Sequence, residues 1–279
     1  MKRWTAEAAQ RVALSAALKK PVGKMVIYIE EMDCMRMATF LTLLYGKDIA
    51  VLNFANAEYL GVGVKRGAGA QEENIFCRTD CWASIRSSEL SSDKRKYTLA
   101  MTTLIDGQAG RVYIDMQRKR VCTRDQEDDQ IPNLGYKYIT PHEMFSFIEV
   151  RAAAVNLERD DMKIKYGQNF EVECTKRIDA QFQTLIANNV RHVVLGACGA
   201  FQNKPHIVTR VYMTAIAKYQ THFDVIAFPI INSVNNLRCF RDQATQRFQV
   251  HLLFKDLQLH NIGMKTPFSS EGLVEWQKL

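Results

Sequence analysis

An apolar run from Ile49 to Phe54 passes through Asn53 and Asn56 into a loop carrying Gly61, Gly63, Gly67 and Gly69, then into Gln71-Glu72-Glu73. The order is strand, glycine loop, helix. A second unit of the same order follows: His192 to Leu195 runs straight into Gly196-Ala197-Cys198-Gly199-Ala200-Phe201. Asn203 with Pro205 in the first turn then opens a helix to about Tyr219, since both residue types suit a helix start. Two such units, among other apolar runs alternating with helical stretches, predict a layered α/β fold. Glycines let backbone N–H groups approach an anion because no Cβ stands in the way. A helix beginning near Ala70 adds its positive end. Phosphate cradled by backbone beside two carboxylates points to chemistry on a phosphorylated sugar. For the second loop, a tight turn without a ligand stays open as an alternative.

The remaining elements follow from the same pattern. Met25 to Glu30 reads as a strand, and Asp33 caps a helix to about Leu44 in which Met35 and Met37, with Met32 just before it, fill the core. Gln71 to about Arg86 is predicted helical, with strands at Ala100–Leu104 and near Val112–Met116. Residues 122–142, with Pro132 and Pro141, read as a surface excursion. Phe145 to Val155 is strand-like and Glu158 to Gln168 a loop. Asp179 to about Asn189 is an amphipathic helix ending on Asn188-Asn189, and Phe223 to Ile231 is a last core strand. Beyond Asn235 the chain is mixed and polar, with an edge strand expected at Phe248–Phe254. Residues 5–20 form a basic, Ala-rich amphipathic helix with Thr5 as its cap. No repeat or linker divides the chain, so residues 1–279 are expected to form one domain with an extension after about 235.

Composition excludes more than it selects. The balance of 37 Lys+Arg against 30 Asp+Glu gives +7, but the basic residues are dispersed and the acidic run Asp125 to Asp129 interrupts them. A dedicated duplex-binding face would concentrate that charge. Seven cysteines without framework spacing read as reduced thiols in the cytoplasm. Cys77 and Cys81 lie four apart, and with no His to complete a zinc set they read as two buried thiols on one helix face. No apolar run is long enough to span a bilayer. No Asp/His cluster suggests a metal-dependent phosphoesterase.

The segment Asn53-Phe54-Ala55-Asn56-Ala57, the glycine loop and Gln71-Glu72-Glu73 resemble the signature of the poly(ADP-ribose) glycohydrolase family, bacterial type, within the macrodomain fold. Val194 to Asn203 is similar to that family's second phosphate loop, and Val225-Ile226-Ala227-Phe228 to the strand after it. The similarity extends thinly over roughly residues 25–235. It implies a three-layer α/β/α macrodomain-like sandwich with a mixed central sheet. It also implies an ADP-ribose glycohydrolase that needs no metal or organic cofactor. The partner would be ADP-ribose, or ADP-ribosylated protein or nucleic acid, and not a membrane. By the same resemblance Asn56 would bind the terminal ribose. Gly61, Val62, Gly63 and Val64 would line the diphosphate from one side. Gly196, Ala197, Cys198, Gly199, Ala200 and Phe201 would line it from the other, Phe201 packing on ribose. Phe228 would touch adenine, with a core phenylalanine as the alternative. Glu73 would be the general acid and base, Glu72 would hold ribose hydroxyls, and Gln71 would support the loop.

Adjacent helix positions lie about 100° apart, so Glu72 and Glu73 cannot flank one bond as a standard glycosidase pair. One carboxylate for proton transfer and one for positioning is the sensible division; simple charge complementarity at a helix start is the plain alternative. The family's triple glycine is here Gly61-Val62-Gly63, preceded by Leu60 where proline is usual. A left-handed φ at a β-branched residue costs about 1–2 kcal/mol or more. Either Val62 keeps ordinary φ with its side chain turned away, preserving hydrolysis, or the loop sits differently. The second case would alter substrate choice or leave a reader that binds ADP-ribose without turnover.

Overall fold

Five apolar segments become strands in which every residue is buried: β1 (Val26–Glu30), β2 (Ile49–Asn53), β5 (Phe145–Arg151), β6 (His192–Val194) and β7 (Val225–Pro229). Burial on both faces is what a sheet covered by helices on each side requires. The computed structural model describes residues 24–46, 48–64, 70–125, 136–157, 168–197, 204–231 and 233–259. The helix expected over 5–20 lies outside them.

Eight strands form one sheet in the order β3-β5-β2-β6-β7-β1-β8, where β3 is Tyr113–Ile114 and β8 is Val250–His251; β4 (Arg120–Cys122) also pairs with β5. β2 pairs in parallel with both β5 and β6, and β7 with both β6 and β1. β3 and β4 run antiparallel to β5, so the sheet is mixed, as expected. Side chains alternate along each strand. Ile27 and Ile29 join a core with Leu52, Phe182, Tyr212 and Phe228 under the helices α4 (Phe170–Ala187), α5 (Pro205–Tyr219) and α6 (Val234–Thr245). Val26, Tyr28, Val51 and Phe147 join a second core on the other face, beneath α1 (Cys34–Tyr45) and α7 (Leu253–Leu259). That is the three-layer α/β/α arrangement.

Several boundaries match local chemistry read from the sequence. Asp33 caps α1 by accepting from Met35 N and Arg36 N at 2.9 and 3.0 Å, and Gly46 ends it at φ 58°. Met35 and Met37 are core. Asn189, at φ 54°, lies just beyond α4.

Others are corrected. α2 (Gln71–Arg78) stops well short of Arg86, because Thr79 is extended, bridges to Cys122, and accepts Cys81 N–H on its hydroxyl. Cys77 and Cys81 therefore do not share a helix; Cys81 is buried and Cys77 half-buried. Residues 99–105 form α3 (Leu99–Ile105) instead of the expected strand, capped by Thr98. Met101 and Ile105, four apart, are its buried pair while Leu99 is 82% exposed. α4 begins at Phe170, not Asp179, because Cys174 and Ile178 extend its buried stripe. The polar stretch after Asn235 is helical, Ser233 capping α6 through Asn236 N. The edge strand expected at Phe248–Phe254 shrinks to β8, with α7 following.

Candidate active site

All parallel strands present their C-terminal ends on one edge, the edge where open α/β sheets place ligands. The loops leaving β2 and β6 are neighbours there, because those strands are paired. They touch: a Cβ on Gly196 would lie 2.4 Å from Phe54 Cε2, so only glycine lets the ring sit there. Ala197 packs partly buried on the same core. Cys198, Gly199, Ala200, Phe201 and Asn203 lie outside the described residues, as do Gly67 and Gly69.

Three residues at the start of α2 hold the first loop. Gln71 accepts Phe54 N–H on Oε1 at 2.8 Å and donates from Nε2 to Leu52 O at 2.9 Å, stapling the helix to the end of β2. Glu72 Oε2 accepts Asn56 N–H at 3.3 Å, and Glu73 Oε1 accepts Gly63 N–H at 2.9 Å. Asn56 turns its own Oδ1 onto Glu58 N and Tyr59 N, both at 2.9 Å, so only its amide nitrogen is left for a ligand. The glutamates are 4% and 7% exposed. Burial, aided by the charge of Glu73, pushes Glu72 up to about 8, against the opposing pull of Asn56 N–H and Arg151.

The altered glycine signature resolves in favour of ordinary φ. Gly61 alone of the turn is left-handed, at φ 46°, and Val64 N–H closes the turn on Gly61 O at 3.1 Å. Val62 is not among the positive-φ residues and is 47% exposed. Gly61 rests on an edge-to-face pair of rings, Phe76 and Trp82.

Phe228 does not reach the site. It is fully buried in a cluster with Tyr212 and Phe240, centroids 5.2 and 4.9 Å away. The reason is its strand: β7 lies inside the sheet, and its side chains there point into one core or the other. Ile231, just beyond that strand, is exposed at the same edge.

Sequence reasoning missed a buried ion cluster behind Glu72. Arg151 grips Glu149 with Nε and Nη2, at 2.8 and 2.9 Å, while Arg120 Nε and Asn53 Nδ2 hold the same carboxylate at 3.1 Å each. Burial would raise Glu149, but Arg151, then Arg120 and Asn53, hold it down at about 2. The available signal was the alternation of Glu149 and Arg151 within an apolar strand. Among the described residues no three His, Cys, Asp or Glu side chains are grouped to hold a metal ion, and no helix is long and apolar enough to cross a membrane.

The family model for the microbial-type PARG catalytic domain matches residues 4–105, which include β1, α1, β2, the glycine loop and the Gln71-Glu72-Glu73 helix start. No curated protein matches in sequence. Among solved structures, poly(ADP-ribose) glycohydrolase from Thermomonospora curvata bound to the inhibitor ADP-HPD is 19% identical, with a TM-score of 0.57 over 86% of this chain and 83% of that one. The glycohydrolase from Deinococcus radiodurans in complex with ADP-ribose is 20% identical, with a TM-score of 0.56 over 87% and 90%. The chain thus has the poly(ADP-ribose) glycohydrolase fold, and over residues 4–105 its sequence matches the microbial-type PARG catalytic domain.

Proposed function

We propose that this protein is an ADP-ribose glycohydrolase, cleaving the ribose glycosidic bond of poly- or mono-ADP-ribosylated substrates. One observation carries the reading. Two buried carboxylates on adjacent helix positions are each tied to a backbone N–H of the same loop, beside the point where Gly196 meets Phe54. In this reading the Gly61–Val64 turn and the Gly196–Phe201 loop face the diphosphate from two sides, with Phe201 against ribose. The amide nitrogen of Asn56 contacts the terminal ribose. Glu73 gives its proton to the departing oxygen as the C–O bond breaks and the electron pair leaves with that oxygen. The same carboxylate then takes a proton from the water that attacks the anomeric carbon. Glu72 holds ribose hydroxyls of the neighbouring unit, and Gln71 fixes the loop. The fold neighbours solved with ADP-ribose and ADP-HPD support this choice of ligand. We read the chain as one macrodomain-like unit acting in the cytoplasm, consistent with six free cysteines among the described residues.

A second assignment of roles has an observation of its own. Glu72, raised to about 8, keeps a proton at neutral pH, the property a general acid needs. Release of ADP-ribose from poly- and mono-modified targets tests both assignments. Glu73→Gln should abolish release and leave ADP-ribose binding measurable. Abolition by Glu72→Gln, with Glu73→Gln active, would exchange the roles. Binding without release by wild type would make the protein an ADP-ribose reader.

A further inference from the structure

Behind Glu72 the protein buries more polar atoms than it pairs. Seven buried side-chain nitrogen or oxygen atoms among the described residues have no hydrogen-bond partner. Five of them belong to Asn53, Glu72, Glu89, Tyr97 and Arg151. These residues form one neighbourhood. Asn53 and Arg151 are register partners in β2 and β5, and Arg151 Nη1 stands 3.6 Å from Glu89 Oε2. Thr98 N–H donates to Glu89 O, and Tyr97 N–H to Glu58 O, so Tyr97 sits between Glu89 and the loop that carries Asn56. The charge of Arg151 acts on both Glu72 and Tyr97. All five side chains are more than nine-tenths buried. Protein interiors rarely leave such atoms dry; the usual remedy is a buried water with about three polar partners.

We propose that Tyr97 and Arg151 are positioning residues for Glu72, acting through a buried water that joins Glu72 Oε1, Tyr97 Oη and Arg151 Nη1. Arg151 has only donors to offer, so the water accepts from Nη1 and turns a hydrogen toward Glu72 Oε1. The Tyr97 oxygen fixes the water's third bond. The bridge holds the Glu72 carboxyl in one rotamer from behind and leaves its front to the ribose. It also favours the ionised form, against burial. The groups facing Glu72 are Glu73 on its own helix, the N–H groups of Asn56 and Gly61, Arg151 and Tyr97. Only the significance of Glu72 to catalysis rests on the glycohydrolase reading; the bridge is a property of the protein without substrate.

The test is a pH titration of the whole chain labelled with ¹³C at the glutamate carboxyls, the Glu72 signal being identified by its loss in Glu72→Gln. Wild type is compared with Tyr97→Phe, and urea unfolding is measured on both. Loss of the hydroxyl should move the Glu72 midpoint up by about half a pH unit or more and lower the urea midpoint. A Glu72 midpoint that stays put or falls overturns the proposal. So does a higher urea midpoint, the result of deleting a hydroxyl that had no partner. Assay of ADP-ribose release on the same preparations separates the two ideas. A wild type without activity defeats the hydrolase reading and leaves the titration to stand on its own.

Discussion

Replacing Gly61 by alanine strikes the turn at its one left-handed position. A Cβ there would lie 2.7 Å from Trp82 Cζ3 and 2.9 Å from Phe76 Cδ2, closer than real Cβ atoms come. Trp82 is partly exposed and could swing outward, but Phe76 is buried and cannot. Left-handed φ costs an alanine about 1–2 kcal/mol, and overpacking against a buried ring about 1–3 kcal/mol. The expected loss is therefore about 2–5 kcal/mol, read as a lower urea midpoint with the slope unchanged. If the turn yields to relieve the clash, Gly63 N–H leaves Glu73, and loss of a hydrogen bond to a charged group lowers release of ADP-ribose by about tenfold or more. Gly61→Asn separates the two causes, because asparagine tolerates left-handed φ but still carries a Cβ. Asparagine should cost nearly as much as alanine. A Gly61→Ala protein within about 0.5 kcal/mol of wild type would refute the packing argument. So would an asparagine variant that restores wild-type stability.

Further outcomes follow from the same site. The Glu72 carboxyl, raised from 4.5 to about 8, binds its proton more tightly folded than unfolded, so its contribution to stability fades as pH rises across that window. Glu72→Gln should therefore gain on wild type between about pH 5 and pH 8.5 in paired urea titrations, and a constant difference would contradict this. Glu149, depressed to about 2, works the other way: its stabilisation is present above 4.5 and is lost as pH falls toward that lower value. Glu149→Gln should cost about 3–5 kcal/mol at neutral pH by leaving two guanidinium groups poorly compensated, with a deficit that shrinks in acid. Gln71→Leu strands Phe54 N–H and Leu52 O at about 1–3 kcal/mol each and should weaken ADP-ribose binding measured by calorimetry. Val62→Gly should change turnover less than threefold in either direction on poly- and mono-modified targets, because the side chain is exposed and its φ ordinary.

What the sequence revealed, and what it hid, divides by the range of the interaction. Strands β1, β2, β6 and β7 were visible because a short, continuous apolar run bounded by turn residues suits a strand buried on both faces. The caps at Asp33 and Asn189 were visible because they act within four residues. α3 was missed because Ala100 to Leu104 is short and apolar, and only the burial of Met101 and Ile105 against the rest of the protein fixes its period. Phe228 was misplaced because a strand residue's distance from the sheet edge depends on where its neighbours end. The ion cluster hid for a similar reason: Arg120 and Glu149 are 29 positions apart and meet only through the pairing of β4 with β5. Of the site, the three residues Gln71, Glu72 and Glu73 were found by pattern. Their division of labour was not, since it depends on which loop N–H each one meets.

The sheet ends, among the described residues, on short strands: Val250–His251 on one flank, Tyr113–Ile114 with Arg120–Cys122 on the other. A long bare flank is an open template on which a second chain can lay down a strand of its own. Here a stranger would find only two or three consecutive rungs before the backbone turns away. The hydrophobic strands that would otherwise aggregate are kept in the middle, guarded by the brevity of their outermost neighbours.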